Sequence, residues 1–183
     1  MDQAVLNFVS QIWGKSGILD FILKIFGVYL IYLIQIFLIL YWFLGDKKSA
    51  IRTTIAGFFA WGVMSKLIQV FYFRPRPFTF VPEKEIIFHR PDYSFPSDHA
   101  ALLFALAFSF YLSKDRRTAF WIFILGTILS LCRVILGLHW LTDILAGWAL
   151  GMISALSFWL LKEPFDKYIS EPIIWLAKKI KLA

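Results

Sequence analysis

Apolar residues run along this chain in five long blocks, separated by short stretches of charge and turn-forming residues. The clearest block lies between Lys24 and Asp46, where Gln35 is the only strongly polar side chain. At about 1.5 Å per residue a helix of that length crosses a hydrocarbon core of roughly 30 Å. Four further apolar segments follow, at about Arg52 to Phe73, Phe95 to Ser113, Thr118 to Leu138 and Leu141 to Leu161. Backbone facing lipid must satisfy its hydrogen bonds within its own segment, so each block predicts a helix. The expected fold is an all-α, polytopic membrane bundle of about five transmembrane helices, in one domain over residues 1–183. Residues 1–17 mix Asp2, Gln3, Asn7, Gln11 and Lys15 with apolar residues. They lack the basic start and small-residue cleavage site of a secretory signal, and read as an amphipathic helix lying in the membrane interface.

Composition agrees with lipid as the solvent: 60% of the residues are hydrophobic and 19% aromatic, more than a soluble domain carries. The many Trp and Tyr residues, Trp42, Trp61, Trp140 and Trp159 among them, read as interfacial belts and packing. A formal charge of +7 raises the question of nucleic acid, but the basic residues form short clusters rather than one stripe. Those clusters are Asp46-Lys47-Lys48 with Arg52, Lys114-Asp115-Arg116-Arg117, Lys162 with Lys167, and Lys178, Lys179 and Lys181. They fall at alternate helix ends and so on one side, which the positive-inside tendency makes cytoplasmic. The opposite, extracytoplasmic side receives residues 1–17, the Pro- and charge-rich loop 74–94 and the turn 137–142. The single Cys132 excludes an internal disulfide, and no internal repeat or low-complexity tract is present.

Ionisable side chains inside a membrane segment are costly, and each is a functional hypothesis. Lys66, Arg133, His99, His139 and Asp143 all fall at the same outer depth when counted from the cytoplasmic helix ends. On a helix, His139 and Asp143, four apart, share one face, so the carboxylate is expected to accept a hydrogen bond from one imidazole nitrogen. That arrangement orients a nucleophile or base; its bland alternative is a structural pair. His99 follows Pro96-Ser97-Asp98 at a helix entrance, where Ser97 or Asp98 caps and free N–H groups favour an anion. Arg74, Arg76 and Arg133 bring cationic forks suited to phosphate, or alternatively anchor the loop in the headgroup region. Together these residues form a phosphate cage with a nucleophile and a general acid. A rival reading makes His99 and His139 haem ligands, or joins them with His89 and Asp143 at a metal. The layer of arginines opposes a bound cation, so no metal and no cofactor is expected. A second rival is a lipid-binding or lipid-moving protein without catalysis.

At this point the residues resemble the type 2 phosphatidic acid phosphatase family. Its third signature, an Arg, five residues, a His, three residues and an Asp, is matched by Arg133, His139 and Asp143, with Cys132 where Ser is usual. Its second, Pro-Ser-Gly-His, stands here as Pro96-Ser97-Asp98-His99. Its first, a Lys, six residues and Arg-Pro, is met at Arg76-Pro77, with Gln69 where the Lys belongs. Lys66 fits neither register; it either reaches the site or snorkels to the interface. The resemblance covers residues 66–147 and is strongest to the bacterial undecaprenyl-diphosphatase branch.

That resemblance implies that His139 attacks phosphorus and becomes a phosphohistidine, with Asp143 orienting it. It makes His99 the acid that protonates the leaving oxygen and later the base that activates water. Arg76, Arg133 and Ser97 would hold the phosphoryl oxygens, with Arg74 and Lys66 as further candidates. Asp98, a carboxylate beside an anion site, is expected to pair with an Arg or with Lys66. The implied reaction takes undecaprenyl diphosphate to undecaprenyl phosphate plus phosphate. The alternatives are phosphatidylglycerophosphate, phosphatidic acid and lipid A 1-phosphate. The expected partners are the lipid substrate and the membrane, with no nucleic acid and no obligate protein partner. The expected location is the bacterial cytoplasmic membrane, with the site facing outward.

Overall fold

The computed structural model describes residues 2–81 and 92–182, which contain helices and turns and no strand. The part of the 74–94 loop from 82 to 91 lies outside the described residues, and His89 with it. The helices are α1 (Asp2–Val9), α2 (Gly17–Leu44), α3 (Lys47–Phe71), α4 (Asp98–Leu112), α5 (Arg116–Ile135), α6 (Leu141–Leu160) and α7 (residues 162–179). Short polar residues start most of the long ones. The side chains of Ser16, Asp46, Ser97 and Asp115 accept from the amides of Leu19, Ser49, Ala100 and Thr118, satisfying donors that a first helical turn leaves unpaired.

Four of the five expected crossings, α2, α3, α5 and α6, are long and apolar enough to span a membrane. The fifth, α4, is apolar but only 15 residues long. Its surroundings explain the difference. Ala100, Ala101, Leu103, Phe104, Ala105, Leu106 and Phe110 are all nearly inaccessible, because α4 forms the axis of the bundle with α3, α5 and α6 packed around it. A helix shielded by protein need not match the thickness of the lipid. The closest packing is between α4 and α6, where Gly147 and Gly151 bring the backbones together. A Cβ added at Gly151 would lie 2.6 Å from both the Ala101 oxygen and the Ala105 nitrogen.

Two further features differ from expectation. The amphipathic N-terminal helix is present as α1, but Leu6 and Val9 are buried against Trp13 and Trp140 rather than turned to lipid. The first span begins at Gly17, so Asp20 and Lys24 lie within its first turns. At the other end of the bundle the basic tail folds into α7. There Arg52 Nη1 donates to both oxygens of Asp166, at 2.8 and 2.7 Å, and Lys48 pairs with Glu171 at 2.7 Å. These acidic partners turn the tail back onto α3, a long-range pairing that periodicity does not register.

Candidate active site

His139 sits in the turn between α5 and α6, and the turn explains its placement. Helix α5 ends at Ile135, Gly137 takes φ +69°, and the amides of Leu138 and His139 return to the Arg133 carbonyl at 2.9 and 3.4 Å. Only a glycine adopts that left-handed backbone without strain. The buried imidazole is thereby set beside the side chain of Arg133, which leaves the last turn of α5.

The imidazole contacts fix its chemistry. Nδ1 lies 2.8 Å from the Ser94 carbonyl oxygen. A carbonyl can only accept, so Nδ1 carries the proton and the lone pair is on Nε2. Onto Nε2 converge two guanidinium groups, Arg76 Nη1 and Arg133 Nη2, each at 3.3 Å. Arg76 is held by its own donations to Asp92, at 2.7 Å, and to the Leu138 carbonyl, at 2.7 Å. Arg133 is held by donation from Nη1 to the Gly27 carbonyl at 3.0 Å. Gly27 lies in a wide helical turn, Ile25–Tyr29, and a Cβ there would stand 2.7 Å from Leu136 Cδ1. The glycine thus lets α2 approach α5 closely enough to take part in the site.

Asp143 departs from the expected pairing. Its Oδ2 is 3.7 Å from His139 Nδ1, within ion-pair reach but beyond a hydrogen bond. Helix α6 begins at Leu141, so His139 precedes the helix and the four-residue spacing does not put the two side chains on one helical face. The fully buried carboxylate instead accepts from the Trp140 amide at 2.8 Å, from Ser94 Oγ at 2.5 Å and from Arg74 Nη1 at 2.6 Å. It fastens Ser94, and Ser94 in turn holds the imidazole. Ser94 was not expected from sequence, since its contact to the ring is through a backbone carbonyl.

Arg74 divides its fork between two carboxylates. Besides Asp143 it contacts Asp2 at 2.7 Å, and Thr142 Oγ1 donates to Asp2 at 2.5 Å. Burial raises the Asp2 pKa, but hydrogen bonds from Thr142 and Arg74 outweigh that effect and leave the carboxyl below its ordinary 3.8. Helix α1 is thus tied by Asp2 against the site, where Leu6 and Val9 line a small cavity with His139 and Trp140.

Ser97 caps α4, and its buried amide donates to the Asp143 carbonyl at 3.1 Å. His99 is one residue into α4 and lines a separate cavity with Tyr32, Gln35 and Trp61. Asp98 has the cationic partner expected for it: Lys66 Nζ lies 2.6 Å from Oδ2, and Gln69 Nε2 donates to Oδ1 at 2.9 Å. Lys66 also donates to Gln69 Oε1 at 3.0 Å, so its ammonium is spent on Asp98 and Gln69. Among the described residues no three His, Cys, Asp or Glu side chains are grouped as a metal site.

This geometry can be set beside known proteins. The pattern that defines the PAP2 superfamily matches residues 51–166, which include every residue named around His139 except Gly27 and the α1 residues Asp2, Leu6 and Val9. The chain belongs to the PAP2 superfamily. It is similar to undecaprenyl-diphosphatase BcrC of Bacillus subtilis, 27% identical over 160 residues, covering 86% of this chain and 82% of that protein. It is also similar to undecaprenyl-diphosphatase of Sulfolobus acidocaldarius, 32% identical over 154 residues, covering 80% and 70% respectively. The fold resembles that of Aquifex aeolicus LpxE, with a TM-score of 0.72, 18% identity, and coverage of 86% and 93%. As a PAP2 protein with these relatives and these apolar helices, the chain is a phosphatase and a multi-pass membrane protein.

Proposed function

We propose that the protein hydrolyses undecaprenyl diphosphate to undecaprenyl phosphate and phosphate at the outer face of the bacterial cytoplasmic membrane. The observation that carries the chemistry is the His139 imidazole, its Nδ1 on a carbonyl and its Nε2 facing two guanidinium groups at 3.3 Å. In this reading Nε2 attacks the terminal phosphorus. The N–P bond forms, the P–O bond to the lipid breaks, and its electron pair leaves with the lipid oxygen. Arg76 and Arg133 balance charge on the equatorial oxygens, and the Ser97 cap, with Arg74 behind it, completes the anion-binding wall. His99 protonates a leaving oxygen, then takes a proton from the water that attacks phosphorus and returns the N–P electron pair to His139. Asp143 acts at one remove, by holding Ser94 and Arg74, and Asp98 acts by holding Lys66.

The choice of lipid rests on the named activity of the two relatives above, each matched over most of its length. The outward orientation rests on the basic clusters at the opposite helix ends. The test is phosphate release in detergent, with chelator present, from undecaprenyl diphosphate beside phosphatidylglycerophosphate, phosphatidic acid and lipid A. Preference for the first, lost in His139→Ala, supports the proposal, as does a base-stable, acid-labile phosphoprotein trapped on rapid quenching. Release from none of them refutes it.

A further inference from the structure

Gln35 is the one strongly polar side chain in the first apolar block, and the catalytic reading gives it no task. It makes no hydrogen bond among the described residues, although an unsatisfied amide at membrane depth costs free energy. Tyr32 lies one turn earlier on the same face of α2, and its hydroxyl likewise has no partner among the described residues. Both side chains are exposed and line an open cleft of about 190 Å³ whose remaining wall includes Trp61 of α3 and His99 of α4, the acid of the mechanism proposed above. Trp61 belongs to a π-helical turn, Ala60–Met64, a local widening that often accompanies a site.

Depth fits as well. Along their helices Gln35 is about 14 Å and Tyr32 about 18 Å from the inner end of α2 at Leu44. His99 is about 20 Å from the inner end of α4 at Leu112. Tyr32 is thus at nearly the level of His99 and Gln35 about one turn further along, and all three side chains reach the same cleft.

We propose that Gln35 and Tyr32 bind the phosphate that stays on the lipid when a lipid diphosphate is cleaved, and so set a preference for diphosphates over monoesters. The inference rests on the phosphatase reading above and on His99 facing the leaving group. When a monoester is cleaved, the leaving alkoxide takes one proton and becomes an alcohol, with nothing further to stabilise. When a diphosphate is cleaved, the electron pair of the broken P–O bond stays on an oxygen of the departing lipid phosphate, which remains an anion even after His99 has given that oxygen a proton. Two neutral donors on the wall of this open cleft suit that anion, because they stabilise charge without adding a second ion beside Lys66 and the arginines.

The experiment compares wild type, Gln35→Leu and Tyr32→Phe. Substrates are undecaprenyl diphosphate and two monoesters, undecaprenyl phosphate and phosphatidic acid. Inhibition of diphosphate turnover by added undecaprenyl phosphate is measured alongside. Each substitution replaces a polar group with one at home in lipid, so melting temperature is expected to hold. Loss of a hydrogen bond to a charged group predicts a fall of about tenfold or more in kcat/KM for the diphosphate. The monoesters should change less than twofold, and inhibition by undecaprenyl phosphate should weaken in parallel with the diphosphate loss. An equal loss on both substrate classes, or no loss on the diphosphate, overturns the inference and leaves the phosphatase reading standing. A wild type inactive on every substrate brings down both.

Discussion

Replacing Gly147 with alanine probes how tightly the site depends on the contact between α4 and α6. The added Cβ would meet the Ser97 carbonyl oxygen at 2.6 Å, Ala100 Cβ at 2.8 Å and the Ala101 nitrogen at 3.1 Å. None of these is the tip of a flexible side chain, so one helix must shift, by about 0.8 Å if the oxygen is to regain ordinary contact. Overpacking of that kind costs about 1–3 kcal/mol. The same shift acts on the bond from the Ser97 amide to the Asp143 carbonyl, now 3.1 Å, and stretches it past hydrogen-bonding range. Ser97 and the network around Asp143 then move relative to each other. Displacements near 1 Å in a catalytic array cost about 100-fold in rate. The expected result is a lower melting temperature, followed by fluorescence of the eight tryptophans, together with about a 100-fold lower kcat for lipid-phosphate hydrolysis. Gly62→Ala is the control, since a Cβ there meets nothing within 4 Å, and it should leave both readings unchanged. A Gly147→Ala protein with wild-type kcat and melting would refute the reasoning.

Arg76→Lys keeps the charge but gives up the fork that joins Asp92, the Leu138 carbonyl and His139; kcat/KM should fall about 100-fold or more, measured by phosphate release. For Asp2→Asn the pH dependence is diagnostic. The Asp2 pKa is lowered on folding, so its stabilisation is complete above the ordinary value of 3.8 and is lost as pH falls through the lowered one. The variant should therefore melt below wild type at neutral pH, with the gap closing under acid conditions; a constant gap would assign the effect to packing. Asp98→Gly should lower stability by less than about 1 kcal/mol, because the Lys66 side chain is 50% exposed. It should also lower activity severalfold by releasing Gln69 from the entrance of α4; unchanged activity and stability would show that the Lys66–Asp98 pair is idle.

The bundle was legible in the sequence because its signals are local. Each apolar block reports its own helix, and charge clusters report which ends share a side. Counting residues along those helices grouped Lys66, His99, Arg133, His139 and Asp143 at one depth; the structure sets Arg133 against His139 and gives His99 a separate cavity. What escaped was carried by contacts without a side-chain signature. The Ser94 and Gly27 carbonyls hold the imidazole and Arg133, and any residue type supplies a carbonyl; only the glycine, placed in a run of bulky apolar residues, left a trace. The His139–Asp143 spacing misled because a helical rule was applied across a helix start. The partnership of Asp2 with Arg74 joins positions 72 apart, beyond any periodicity.

The brevity of α4 carries a consequence for how the enzyme meets its lipid. Fifteen residues give about 22 Å of helix against a hydrocarbon layer of roughly 30 Å. On the outward-facing orientation proposed above, with the other end of α4 at the level of the basic clusters, the Asp98 end and the histidine beside it would lie about 8 Å below the opposite hydrocarbon boundary. In that proposed orientation a headgroup would have to sink to be cleaved, and the depth of that descent would grow with bilayer thickness. Hydrophobic mismatch would then be a kinetic variable, one through which bilayer thickness acts on turnover without any change in the site itself.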